Sequence, residues 1–201
     1  MRVRGYLERL IGESSPDDLA GLVADYCGLL REAAFVVGVL CEAPFDQREE
    51  EFNALIDVEA ESRATYEALL VALSSGSDTQ QLRDLTALLH AMFKEFLHVG
   101  ATLRAWNAQQ LPSRVVRRWG AAEDGTWSLV RSWENTRDPL VVAAALRAIQ
   151  LEVLAIDEYM TVAVNDARQS PRHETDSVPR ARTDNHALGT VPAQLLPHRG
   201  G

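Results

Sequence analysis

Residues Arg137-Asp138-Pro139, followed at positions 140–164 by LVVAAALRAIQLEVLAIDEYMTVAV, form the stretch that decides the fold class of this chain. The Asp138 side chain can accept a hydrogen bond from a free amide of a first helical turn. Pro139 suits the first helical position, because the amide that proline lacks has no partner there and its fixed φ angle is already helical. The stretch therefore predicts a long α-helix that begins at Pro139.

The apolar residues of this helix lie on nearly every side of it. A surface helix needs one apolar stripe, so this helix must bury most of its circumference, either as a central core helix or as half of an interface between two chains. We expect an isologous interface in which Ile149 and Ile156, which are seven residues apart, face a second copy of the chain. Leu146 and Val153 are the residues that could instead face the protein's own core. The predicted interface as a whole comprises Leu146, Ile149, Val153, Ile156 and Met160.

Helical signals recur through the rest of the chain, and strand signals are nearly absent. Ser15-Pro16 has the form of a cap and a first-turn proline. That helix is expected to end at Ala43, because Pro44 disfavours a helical conformation in the residue before it. Predicted helices cover residues 15–43, 45–73, 78–107 and 114–119, and Asp124-Gly125 predicts a turn before the final helix.

These elements predict an all-α protein, a helical bundle of about five to seven helices over residues 1–167. Beyond Ala167 the apolar periodicity ends in four prolines and scattered polar residues, so residues 168–201 are predicted to be a disordered tail. The net charge of the chain is −9, and the tail carries five arginines against three acids. The helical body is therefore strongly acidic, which disfavours nonspecific binding of nucleic acid by the body alone.

Composition and location signals indicate a soluble protein of the cytoplasm without a membrane partner. Apolar residues make up 46% of the chain and charged residues 24%. No secretory signal follows Met1, and no uncharged apolar run reaches the ~18 residues expected of a membrane span. Cys27 and Cys41 lie 14 residues apart on one predicted helix, roughly 21 Å along its axis, so they cannot bridge each other and are expected to be buried.

Few residues in the chain have the spacing of a catalytic or metal site. Glu95 and His98 have the Glu-x-x-His spacing of carboxylate-bridged di-iron proteins, but such sites need a second Glu-x-x-His, which the chain lacks. A ferritin-like metalloprotein, with Glu32, Glu61 and Glu152 as further ligands, is the alternative function. No serine elbow or glycine-rich phosphate loop occurs, so we expect no catalytic residues, no metal and no cofactor.

The four tryptophans are concentrated within 28 residues, from Trp106 to Trp133. Large flat apolar side chains suit a ligand pocket or an interface, and the alternative is that they only fill the core of a bundle. We expect a pocket for a small apolar or amphipathic ligand. The predicted pocket residues are Phe93, Phe96, Leu97, Trp106, Trp119 and Trp127.

Two phrases in the sequence resemble the C-terminal ligand-binding and dimerisation domain of TetR-type transcriptional regulators. The first is FLHVGATLRAWN at residues 96–107, and the second is DPLVVAAALRAI at residues 138–149, which leads into Glu152 and Tyr159. Many such regulators have a helix that ends in a similar phrase, followed by a final helix with an Asp-Pro cap. The resemblance covers residues 80–165 and implies a small-molecule effector, a pocket between the long helices and a homodimer through the last two.

The chain departs from that family at its beginning. The family places a helix-turn-helix of about 45 residues before the ligand domain, whereas residues 1–14 are too few for such a reader of DNA. We therefore expect an effector-sensing, dimerising domain that meets DNA only through a helix-turn-helix supplied outside this chain. A self-associating helical scaffold without a ligand is the further alternative.

Overall fold

The computed structural model of the protein describes residues 16–74, 80–106 and 110–169. These residues form five α-helices and no strand, so the prediction of an all-α fold is confirmed for them. Of the predicted tail, only Arg168 and Gln169 lie within the described residues, where they end the last helix. The helices are α1 (Pro16–Glu42), α2 (Arg48–Ser74), α3 (Gln80–Ala105), α4 (Ser113–Thr136) and α5 (Pro139–Gln169).

The helices pack around a central pair, α1 and α3. Helix α1 contacts α2, α3 and α4, and α3 contacts α1, α2 and α5. The remaining contact, between α4 and α5, closes the ring. Helix α5 therefore lies at the outside of the bundle, packed against two of the four other described helices, α3 and α4.

Helix α1 is the helix that is buried on most sides. Its fully buried residues include Val23, Tyr26, Cys27, Leu30, Ala33, Ala34, Val37 and Leu40. Three neighbouring helices cover these residues. A central position in the bundle is one of the two alternatives predicted for α5, but it is α1 that occupies this position. Cys27 and Cys41 are both free and buried, as predicted, and burial raises the pKa of each thiol to about 12.

Helix α4 runs without a break through Asp124-Gly125, so the predicted turn at this pair is wrong. The glycine serves the packing between helices instead. A Cβ atom at position 125 would lie only 2.7 Å from Cγ1 of Ile149 in α5. Gly125 therefore lets α4 and α5 approach each other closely, and tertiary packing overrides the local preference of Asp-Gly for a turn.

A tight corner joins α4 to α5. Arg137 adopts the left-handed conformation, with φ 50°, and its amide donates to the carbonyl of Trp133 at 2.9 Å. One oxygen of Asp138 then accepts a hydrogen bond of 2.8 Å from the amide of Leu140. The predicted cap at Asp138 is thus confirmed, and it satisfies a first-turn amide of α5.

The first residue of α2 links three elements at one end of the bundle. Arg48 is buried, and its guanidinium donates to the carbonyl of Ala43 at 3.2 Å and to that of Trp106 at 2.7 Å. These bonds join the end of α3 to the connection between α1 and α2. This end of the bundle also contains the candidate site.

Candidate functional site

Two tryptophan side chains set how α4 lies on α1. The indole N–H of Trp119 donates to the carbonyl of Ala34 at 2.9 Å, and that of Trp133 donates to the carbonyl of Ala20 at 3.0 Å. The later residue of α4 pairs with the earlier residue of α1, so the two helices run antiparallel. The first half of α4 therefore lies beside the second half of α1.

A cavity of about 180 Å³ lies between these two half-helices. One glycine leaves part of this space open, because a Cβ atom on Gly120 would meet nothing within 4 Å. On the opposite helix, a Cβ atom on Gly38 would lie 2.9 Å from a carboxylate oxygen of Glu123. The lining residues are Phe35, Gly38, Val39, Cys41 and Glu42 of α1, and Val116, Trp119, Gly120 and Glu123 of α4.

A wider cleft of about 490 Å³ adjoins this cavity at the end of α1. The cleft and the cavity share Cys41, Glu42 and Val116, so they form one continuous groove. The cleft is lined in addition by Ala43, Gln110, Leu111, Ser113 and Arg117. We call the two spaces together the α1–α4 groove.

The inner part of the groove is acidic. Partial burial raises the pKa of the Glu123 carboxyl above its ordinary value, and the negative charges of Asp124 and Glu42 raise it further. Two carboxylates, one from each helix, thus lie on a cavity whose other lining residues are uncharged. The Cys41 thiol at the same place is protonated near neutral pH, because its pKa is about 12. The cavity has no reactive thiolate nucleophile at that position.

The structure does not bring the six predicted pocket residues together around one cavity. Trp119 is the one that lines the α1–α4 groove, where its buried ring forms the base. Phe93 and Phe96 are fully buried in the closed core, and Leu97 packs against it. Trp127 is 45% exposed, with the guanidinium of Arg31 stacked 4.3 Å from its ring centre.

The sixth predicted pocket residue, Trp106, lies at the end of α3. Its indole N–H is buried and has no acceptor among the described residues. Its backbone carbonyl, in contrast, accepts the hydrogen bond from Arg48. Trp106 therefore belongs to the cluster around Arg48 and does not line the groove.

The residues that form the cavity gave little signal in the sequence. Phe35, Gly38, Gly120 and Glu123 lie on two helices about 80 residues apart, and no motif joins them. A glycine inside a predicted helix is the one local hint, because it weakens the helix unless packing or a ligand requires it. Gly38 has that property, whereas Gly120 follows directly on the predicted helix 114–119 and lies inside a helix only in the structure.

The predicted metal alternative finds no support among the described residues. No group of three or more His, Cys, Asp or Glu side chains in that part of the chain is placed to hold a metal ion. His98 points to the surface, where its Nε2 pairs with Asp157 of α5 at 3.0 Å. Glu152, a proposed further ligand, pairs with Arg118 of α4 at 2.7 Å.

A polar cluster lies on the opposite side of the bundle, where α1, α2 and α3 meet. The hydroxyl of Tyr26 lies 3.1 Å from Nδ1 of His90, and the rings of His90 and Tyr66 stack 4.0 Å apart. Partial burial lowers the pKa of His90, and the nearby charges of Lys94 and Arg63 act in the same direction, whereas Glu59 opposes them. His90 is therefore a neutral packing residue near pH 7.

Lowering the pH below 6.5 is expected to destabilise the protein through His90. The unfolded chain binds a proton at the ordinary pKa of 6.5, and the folded protein binds it only at lower pH. Stability from this group is therefore complete above pH 6.5 and is lost progressively as the pH falls from 6.5 to the lower pKa of His90 in the folded protein. Thermal unfolding between pH 8 and 5 should show a larger decrease for the wild type than for His90→Gln, and equal decreases would contradict the assignment.

The five residues predicted to form a dimer seam lie instead in the core of the single chain. Leu146, Ile149, Val153, Ile156 and Met160 form the inner side of α5 against α3 and α4, and each is at most 2% exposed. They cannot reach a second copy while the bundle stays folded. The opposite side of the helix is apolar as well, and no residue in the described ranges 16–74, 80–106 and 110–169 covers it.

We define the outer face of α5 by its exposed residues. Seven of them are apolar: Leu140, Val141, Ala144, Ala148, Leu151, Leu154 and Val162. Three more are polar: Arg147, Glu158 and Thr161. Leu140 and Val162 are 22 residues apart, so the face is about 33 Å long. By length and mean hydropathy, Pro139–Ala163 is also a segment that could cross a membrane, although its inner side is part of the protein core.

The chain matches no protein-family model, no curated protein and no solved structure. The resemblance to TetR-type regulators therefore stays a prediction from two phrases of sequence. Two features of the described residues bear on function, the α1–α4 groove and the outer face of α5.

Proposed function

We propose that this chain is an effector-sensing, dimerising helical domain of a regulatory protein, similar in role to the ligand-binding domain of TetR-type transcription regulators. The α1–α4 groove is the proposed ligand site, and the outer face of α5 is the surface on which two copies meet. The proposal assigns contact with DNA to none of the described residues. The observation that carries it is the long apolar outer face of α5.

The order of residues on the outer face favours a second copy of the same chain as its partner. Leu151 and Leu154 lie near the middle of the face, and Arg147 and Glu158 lie four residues further out on either side. If two α5 helices cross antiparallel about a two-fold axis midway between these leucines, Leu151 meets the partner's Leu154. The same symmetry places Arg147 beside the partner's Glu158, so the charges on the face complement themselves.

Small residues make a close approach of the two helices possible. Ala144 and Ala148 are exposed on this face, and Thr161 lies at its far end. Leu140, Leu151, Leu154 and their neighbours Ala144, Arg147 and Glu158 follow one another at alternating spacings of three and four residues. This spacing is the one that lets two helices pack along a continuous seam.

Helix α4 connects the groove to the dimer helix. Trp119, Gly120 and Glu123 of α4 line the cavity, and Arg118, the residue before Trp119, forms an ion pair of 2.7 Å with Glu152 of α5. Gly125, further along α4, packs closely against Ile149 of α5. A ligand that moves α4 would therefore also move the helix that carries the outer face, which is the coupling that an effector-sensing domain needs.

Replacing Leu151 with Glu is expected to yield a folded monomer. The change places a carboxylate in an apolar seam twice per dimer, so the dissociation constant should rise by about 100-fold. Sedimentation velocity at 1–100 µM should show a wild-type dimer and a monomeric variant, with equal helical circular dichroism. Leu70→Glu, at an exposed leucine of α2 that does not contact α5, is the matched control and should remain a dimer.

A charge exchange tests the antiparallel arrangement itself. Arg147→Glu should weaken the dimer, because it faces the partner's Glu158 with a like charge. The double variant Arg147→Glu, Glu158→Arg should recover the wild-type association. A wild-type protein that is monomeric at 100 µM would overturn the proposed dimer, and wild-type protein that sediments with lipid vesicles unless Leu151 is changed would assign the face to a membrane.

A further inference from the structure

We infer that the α1–α4 groove binds an organic cation, an amine or quaternary ammonium that carries an aromatic or short alkyl group. This inference rests on the proposed function, because it names the class of effector for the same site. One small cavity combines two carboxylates with apolar and aromatic side chains, and the class of ligand follows from that combination.

The carboxylates of the cavity come from both of its walls. Glu42 lies on α1 and Glu123 lies on α4, and the two are close enough for the charge of Glu42 to disfavour ionisation of Glu123. Burial and the charges of two acids, Asp124 and Glu42, raise the pKa of Glu123, and no base contributes to that shift. A positive charge in the cavity would remove this repulsion, and an anion would increase it.

The remaining lining suits the apolar part of such a ligand. Phe35 is 59% exposed at the edge of the cavity, Val39 and Val116 line its sides, and the Trp119 ring lies at its base. Aromatic rings attract alkylammonium groups through their negatively charged faces. A bound cation with an apolar substituent would cover Phe35 and neutralise Glu123 at the same time.

The base that lines the groove, Arg117, lies away from the acidic inner cavity. Arg117 lines the outer cleft but not the inner cavity, whereas Glu42 lines both spaces. The inner cavity is therefore the more acidic part. Its volume of about 180 Å³ admits a single-ring compound but not a large multi-ring one.

Calorimetric titration with three ligands of similar size tests the inference. Benzyltrimethylammonium is the cation, neopentylbenzene is its neutral isostere, and phenylacetate is the anion. We expect the cation to bind at least about tenfold more tightly than the isostere, and the anion not to bind. Raising the salt concentration should weaken binding of the cation and not that of the isostere.

Three variants locate the binding to this cavity. Glu123→Gln keeps the shape and removes the charge, so it should weaken binding of the cation by about tenfold, while Asp124→Asn, next to it and outside the cavity lining, should change binding much less. Gly120→Leu places a leucine side chain in the cavity and should abolish binding of every ligand. Because the Cβ atom of this leucine would meet nothing within 4 Å, the thermal midpoint of the variant should be unchanged or higher.

The outcomes separate the ligand class from the proposed function. If the neutral isostere binds as tightly as the cation and Gly120→Leu blocks both, the groove is an apolar effector site and only the cation inference fails. If phenylacetate binds best, the assigned charge is wrong. If none of the three binds while the dimer forms through α5, the effector site fails as well and a self-associating scaffold remains.

Discussion

Replacing Ile149 with Glu is expected to unfold the protein and not to release a folded monomer. Ile149 is 1% exposed and its Cγ1 packs against the backbone of α4 at Gly125. A carboxylate at this position would be buried without a partner, which costs several kcal/mol, on the order of half or more of the stability of an ordinary domain. Circular dichroism at 25 °C should show a large loss of helix or a thermal midpoint lowered by more than ten degrees.

Leu151→Glu is the matched control for this prediction, because it makes a Leu-to-Glu change two residues further along the same helix. Leu151 is 69% exposed on the outer face of α5, so the same carboxylate stays in water and the helical signal should be retained. If Ile149→Glu folds normally and Leu151→Glu unfolds, the inner and outer sides of α5 are exchanged. The dimer would then have to be sought on the side of Ile149 and Ile156.

Replacing Trp119 with Ala is expected to lower the free energy of unfolding by about 3–5 kcal/mol. The change removes one of the largest fully buried side chains of the described residues and leaves a cavity. It also removes the edge contact with the Phe96 ring, at 5.1 Å between ring centres, and the hydrogen bond to the carbonyl of Ala34. Urea unfolding should show the loss as a lower midpoint with an unchanged slope.

Trp127→Ala provides the comparison within the same helix. The Trp127 ring is about half exposed and makes a cation–π contact with Arg31, so its removal should cost less than about 1 kcal/mol. Trp119→Phe should fall between the two, because it keeps most of the ring and loses the hydrogen bond. Equal losses for Trp119→Ala and Trp127→Ala would contradict the placement of α4 on α1.

Helix ends were predictable where the signal is local. The cap at Asp138 and the proline after it act on amides within one turn, and the structure places the start of α5 there. The ends of α1, α2 and α3 likewise fall within about three residues of their predicted positions. The turn predicted at Asp124-Gly125 is wrong because the deciding contact is not local. The contact that keeps this pair helical is made with Ile149, which lies in a different helix.

Local patterns of residues predict that the chain is helical, where most of its helices begin and end, and that α5 is apolar on more than one side. Which side of α5 enters the core depends on how α3 and α4 pack against it, because both sides of the helix are largely apolar. The α1–α4 groove likewise depends on how the helices pack against each other. Gly120 leaves an open space, and Gly38 leaves room for the Glu123 carboxylate, because the hydrogen bonds of Trp119 and Trp133 hold α4 antiparallel to α1. No local pattern in either helix contains that information.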